Sequence, residues 1–408
     1  MKQRQAPIGL PTNLFLRTHS TWLAYILLGY FSYMQSSVGP LMPFLSSELH
    51  MSYTIEGLHF SSFALGAVLV GLSGDRMTRI FGRMRIFWGG ASGMAIGAGA
   101  LVISRHPALT LLSVLIMGYT GNLLLMTIQS TLSDQYREQR SVALTEANVV
   151  ASITATLAPL GIGGFQSSVL GWRGALVLMV IVFLITFFLG RTIPLSRKPQ
   201  MLETSSSVAL RPQSFPPAFW AYWAVVLLGV AIEWCIVFWG TNFLALGGEL
   251  NKSVAASLLS LFFLAAIVGR FIGSRLARRF AGSRIMLFAL GLAILGFPIF
   301  WLAPVVPLRL LGLFITGIGV ANFWPSGIAL MLGTVPQRPD AANARLALGS
   351  GIAALIAPFV LGWLADHVGI QKAYSIVTFL LLLMVGTLLI ANRQAKRDTL
   401  HFAQEALH

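Results

Sequence analysis

GLSGDRMTRIFGRMRI, residues 71–86, is a short basic loop set between two apolar runs, and RFIGSRLARRFAGSRI, residues 270–285, is its second copy. A shift of 199 carries Gly74 to Gly273, Arg76 to Arg275, Arg79 to Arg278, Phe81 to Phe280, Arg85 to Arg284 and Ile86 to Ile285. The same shift carries Gly118 to Gly317, Ala158 and Pro159 to Ala357 and Pro358, and Gly163 to Gly362. One constant offset over four separate regions means that a half-length unit is written twice. Such a repeat decides the architecture before local detail does.

The bulk composition says where the doubled unit sits. Of 408 residues, 56% are hydrophobic and 10% charged, whereas a soluble domain carries about 25% charged residues. So few charges over this length place most of the chain in lipid. A span needs about 20 apolar residues to cross about 30 Å of hydrocarbon. Apolar runs give twelve such cores, near 22–45, 55–74, 86–104, 109–132, 143–166, 173–190, 219–244, 253–274, 285–304, 308–333, 343–364 and 373–392. The expected fold class is an all-α membrane protein, with twelve transmembrane helices in two pseudo-symmetric six-helix bundles. The domains read as 1–190, a linker at 191–217, and 218–408. The linker holds Pro194, Pro199, Pro212, Pro216, Pro217 and the run Ser205, Ser206, Ser207.

Orientation follows from lysine and arginine, which collect in cytoplasmic loops. With the N-terminus inside, 22 of the 28 fall in the tails, the linker and the inner loops. Five fall outside (Arg105, Arg173, Lys252, Arg309 and Lys372), and Arg270 lies within a span. Both termini are therefore expected in the cytoplasm of a multi-pass inner-membrane protein. The net charge of +15 is accounted for by this loop bias, so no nucleic-acid partner is called for. Cys235 is the one cysteine, which excludes an internal disulfide. The N-terminal stretch lacks a short apolar core with a small-residue cleavage site and reads as a tail, not a signal peptide. Gly89, Gly93 and Gly97 fall on one face of the third span, a pattern for close helix packing.

The chain resembles the major facilitator superfamily. The likeness rests on the loop pair after spans 2 and 8, on Trp172-Arg173 opening span 6, and on the repeated Ala-Pro with a downstream glycine. The family's loop signature carries an acid. In one alignment Asp75 holds that place, and Gly82-Arg83 then comes four residues late. In the other, RMTRIFGR puts Arg79 there, and Arg278 does the same in the second half. Span 7, GVAIEWCIVFWGTNFL, is similar to the fucose-permease-like branch through Gly229, Glu233 and Trp239. The resemblance implies a secondary transporter working by alternating access, and not an enzyme.

A charge at the bilayer centre costs of order +2.5–3.5 kcal/mol and asks for a reason. Glu233 falls near the middle of span 7. An acid there is cheap when it carries a proton and costly when it does not, which is what proton coupling needs. Arg270 lies one turn inside span 8 and cannot shed its proton, so it calls for a carboxylate, a carbonyl or an anionic substrate. Glu146 in span 5 corresponds to Arg345 in span 11 under the 199 shift. The family fold packs span 5 on span 8 and span 2 on span 11. That implies two cytoplasmic pairs in the outward-open state: Glu146 with Arg270 or Arg275, and Asp75 with Arg345. Arg76, Arg79 and Arg278 complete the expected cytoplasmic gate, and Glu146 is a second candidate for proton coupling.

The spans expected to line the cavity are 1, 4, 7 and 10. They offer Tyr30, Tyr33 and Gln35, Asn122 and Gln129, Trp239 and Asn242, and Asn322 and Trp324 as substrate contacts. Amide and indole groups suit hydroxylated or amphipathic organic solutes. Glu48, His50, Glu56 and His59 lack the tight spacing of a metal site, and neither a Walker loop nor a catalytic triad is present, so no cofactor is expected. The reading is a monomeric, proton-coupled carrier of a small organic solute, a symporter. Proton-driven drug efflux, organic-anion carriage on Arg270, and a transporter-like sensor are the alternatives.

Overall fold

A computed structural model describes residues 15–194, 215–246 and 249–405. Most of the expected linker, the first fourteen residues and the extreme C-terminus lie outside these.

Twelve long helices follow in order. The first six are α1 His19–Leu49, α2 Tyr53–Phe81, α3 Arg83–Ile103, α4 Pro107–Tyr136, α5 Arg140–Phe165 and α6 Arg173–Gly190. Then come α7 Pro217–Leu244, α8 Lys252–Leu276, which is interrupted at Leu259, and α9 Gly282–Leu302. The last three are α10 Val306–Gly333, α11 Pro339–Val368 and α12 Ser375–Glu405. Among the described residues, ten stretches are long and apolar enough to cross a membrane, and one of them, Pro107–Phe165, holds both α4 and α5. The remaining helix, α1, falls short in hydropathy because it carries Tyr25, Tyr30, Ser32, Tyr33, Gln35, Ser36 and Ser37. It is also the most enclosed of the twelve: Ser37 is fully buried, and its hydroxyl donates back to the Tyr33 carbonyl at 2.8 Å. That local bond meets the need of a hydroxyl where water is absent.

Small residues set the helix spacing. Gly90, Gly93 and Gly97 of α3 lie directly on α4, where an added Cβ would meet Thr120, Leu124, Ser113 and Met117. Gly89 faces open space, so the contact face runs through Gly90 and not Gly89. In α10 the helix breaks at Ala321 and Asn322. Pro325 lacks the N–H that would bond the Ala321 carbonyl, and a ring in a helix interior crowds that same carbonyl. Asn322 exploits the break: its Nδ2 donates to Gly269 of α8 at 3.0 Å and to Ile318 at 3.1 Å.

The basic loops mark one end of the molecule; the other is called the far end here. There the halves are in close contact. Gly39 of α1 lies on the main chain of Val237 and Phe238, and Gly57 of α2 on Pro358 and Phe359. Gly163 of α5 lies on Ser253 and Ser257, and Gly362 of α11 on Tyr53 and Trp239. Ser61 donates to the Leu355 carbonyl at 2.5 Å, Ser253 to Gly163 at 2.5 Å, and Lys252 Nζ to Pro43 at 2.9 Å. At the basic end Asp75, Arg76, Arg79, Arg275, Arg278 and Arg345 are all exposed.

Candidate functional site

Glu233 lies midway along α7, half-buried, and has no hydrogen-bond partner among the described residues. The charged group whose field reaches it is the guanidinium of Arg270 on α8. Arg270 in turn donates from Nη1 to Ser152 Oγ of α5 at 3.0 Å. This bond crosses from one half to the other, so Arg270 stands on the seam, with Glu233 beside it. Arg270 is exposed and has no carboxylate within ion-pair distance among the described residues. An unpaired cation and an unbonded acid thus share the region of the seam without forming an ion pair.

The expected pair between Glu146 and Arg270 is replaced by another. Glu146 is bound by Arg17, whose Nε donates at 2.8 Å and Nη2 at 2.5 Å, and by the hydroxyl of Tyr25 at 3.1 Å. The segment leading into α1 reaches α5 before α8 can, which the 199 shift cannot reveal because Arg17 lies outside the repeat. Arg275 and Arg345 likewise stack on rings, over Phe271 at 4.8 Å and Phe215 at 4.5 Å. Asp75 has no ion pair among the described residues. None of the expected gate pairs is formed among the described residues.

The proposed lining residues divide. Tyr30 is 1% exposed and stacks on Phe183 of α6; Tyr33 is buried where Gly161 of α5 and Ala175 of α6 approach it. Both turn into the first bundle, away from the seam. Asn322 is spent on the α8–α10 contact. Asn122 donates back to Gly118 at 2.7 Å. Trp239 is fully buried and donates from Nε1 to the Pro358 carbonyl at 3.0 Å, and Asn242 Nδ2 donates to Glu56 at 2.6 Å. These two belong to the far seam. Gln35 is half-buried, and Gln129 and Trp324 are exposed.

Of three polar groups at the far end, the sequence reading weighed Glu48 and Glu56 only as metal ligands and did not single out Asp366. Asp366 of α11 accepts from the main-chain N–H of Tyr53 and of Thr54, both at 2.8 Å, and from Thr54 Oγ1 at 2.5 Å. It caps α2 from the opposite half. Glu56 is 3% exposed beneath it. Glu48 ends α1 and accepts from Arg173 Nη1 at 3.0 Å and Nη2 at 2.5 Å, and from Trp172 Nε1 at 2.9 Å. The Arg173 guanidinium also stacks on Trp172 at 4.5 Å. The Trp172-Arg173 motif thus grips the far end of α1.

The sequence model of the Major Facilitator Superfamily matches residues 21–306 and 240–406. The chain belongs to this superfamily. It is therefore a multi-pass membrane protein and a secondary transporter, not an enzyme, and its twelve helices form the superfamily fold. No curated protein sequence matches it significantly. Among solved structures it is similar to the nucleoside transporter NupG, at a TM-score of 0.76 and 16% identity, covering 91% of this chain and 99% of that one. It is similar to the peptide transporter POT, at 0.74 and 16%, over 92% and 95%. It is similar also to a bacterial homologue of the human lysosomal transporter Spinster in an inward-facing, occupied conformation, at 0.73 and 16%, over 93% and 98%. At such identity these likenesses show the fold and single out no branch.

Proposed function

We propose that this transporter moves a small organic solute with protons, and that Glu233 carries the proton. The observation that supports the reading is the isolation of Glu233: a carboxyl midway along a spanning helix, without a hydrogen-bond partner among the described residues, within the field of Arg270 at the seam. A carboxyl set midway along a spanning helix and left without partners is costly when charged. Binding a proton removes the charge, and a charged solute docking on Arg270 alters the field that Glu233 feels. The test is transport in liposomes under an imposed pH gradient. Glu233→Gln should abolish the response to the gradient while leaving exchange of solute across the membrane in place. A variant whose transport still follows the gradient overturns the assignment.

A second reading is supported by Arg270 itself. Its one hydrogen bond among the described residues, to Ser152, leaves donors for a carboxylate or phosphate, and guanidinium binds such groups in a two-pronged manner that lysine cannot copy. Organic-anion carriage then predicts that Arg270→Lys weakens solute binding. Full affinity in that variant removes this reading and leaves the first untouched.

A further inference from the structure

The far seam holds an acid that the transport reading does not use. Glu56 sits in the first turn of α2, with Asn242 of α7 donating to its Oε2 at 2.6 Å across the two halves. Ser46 of α1 lies beside it, and the charged groups that face it are Asp366 of α11 and Lys252 of α8. Neither leaves it comfortable as an anion. Lys252 already gives a hydrogen bond to the Pro43 carbonyl. Asp366 already fills the N-terminus of α2 with one negative charge. The other titratable groups nearby are committed elsewhere: His59 of α2 contacts Thr110 at 2.8 Å, and Glu48 of α1 is held by Arg173. Tyr53 packs edge-on against Trp239.

A cavity of about 460 Å³ at the far end is lined by Ser46, Tyr53, Asn242, Lys252, Asp366 and Glu56 itself. One turn further along α2, Phe60 closes on Trp234 at 4.4 Å and on Phe238 at 5.5 Å. Phe60 and Phe238 stand between Glu56 and the level of Trp234 and Glu233; Glu233 lies nine residues, about 13 Å, before Asn242 along α7. The two acids therefore stand on opposite sides of an aromatic plug.

We propose that Glu56 takes a proton from the far side as the far seam closes over it and returns that proton to water when the seam opens, so that it links pH to closure. Closing strips water from the carboxyl and leaves it the Asn242 amide and the Ser46 hydroxyl as donors. A buried charge so poorly compensated is costly, and a bound proton removes the cost. Acid therefore favours the far-closed state. The claim needs no cargo and does not rest on Glu233.

The experiment uses the full-length protein in lipid nanodiscs, with spin labels at His50→Cys in one half and Lys372→Cys in the other, on a Cys235→Ser background. Distances are read by double electron–electron resonance from about pH 8 to about pH 5. The far-closed population should rise as pH falls, and Glu56→Gln, which is neutral at every pH, should hold the closed distance throughout. A Glu56→Gln protein that keeps the parental pH response, or that opens at every pH, overturns the proposal. Should that variant not fold, Asn242→Ala serves, because it removes a donor that supports the charged form. Its closed population should drop more at about pH 8 than at about pH 5, and an equal drop at both overturns the proposal.

Discussion

Adding one methyl group at Gly39 should push the protein toward its far-open state. A Cβ at this position of α1 would stand 2.7 Å from the Val237 carbonyl oxygen, 2.8 Å from Phe238 Cα and 2.9 Å from the Phe238 carbonyl oxygen. Ordinary contact begins at 3.4 Å, and all three atoms are main chain, so no side chain can swing aside. Relief requires α1 and α7 to separate by several tenths of an ångström, and overpacking of this kind costs about 1–3 kcal/mol. The cost falls on the far-closed state alone, because the two helices are no longer pressed together once the far end opens. Replacing glycine by alanine also favours the helix by about 1 kcal/mol, but it does so in both states and cancels. Gly39→Ala should therefore shift the equilibrium by about 5- to 150-fold toward far-open, at tenfold per 1.4 kcal/mol. Spin-label distances across the far end report the shift. Gly66→Ala is the control: its Cβ would meet Tyr119 N at 2.2 Å within the first half, so it should lower thermal stability and leave the distances alone. A folded Gly39→Ala protein with an unchanged distance distribution refutes the reasoning.

Two further perturbations separate the seam from the interior of a half. Asp366→Ala removes the acceptor that caps α2 from the other half; a lost cap is worth about 1–2 kcal/mol, so far-end closure should weaken by about tenfold in the same distance measurement. Glu48→Gln deprives Arg173 and Trp172 of their shared carboxylate inside one half. With the pair one-third exposed on the acid's side, the loss should be about 1–3 kcal/mol, read as a lower unfolding temperature with no change in far-end distance.

The doubled loop and the apolar runs were enough to anticipate twelve helices, since periodicity and hydropathy are local properties. Contacts across the fold are not local. Trp172-Arg173 stood out as a motif, but its partner Glu48 lies 124 and 125 residues away, and nothing in either stretch names the other. Glu56 and Asp366 sit near the ends of helices, where polar residues ordinarily meet water, so the burial of Glu56 and the cap that Asp366 gives to the other half left no trace in the sequence. Tyr30 and Tyr33 show the reverse error. A helix that touches neighbours on all sides has no polar face to read, and in α1 the tyrosines fill the space toward α5 and α6. Glu233 and Arg270 were legible because a charge in an apolar run stands out wherever its partners lie.

The far end is shut largely by glycines lying on main chain, at Gly39, Gly57 and Gly362. Side-chain stoppers flicker between rotamers within nanoseconds, whereas backbone yields only when whole helices move. A plug of that kind does not leak through momentary rearrangement. Stray ions should cross only during a complete transport cycle, which lets the carrier hold a steep gradient without slowly discharging it.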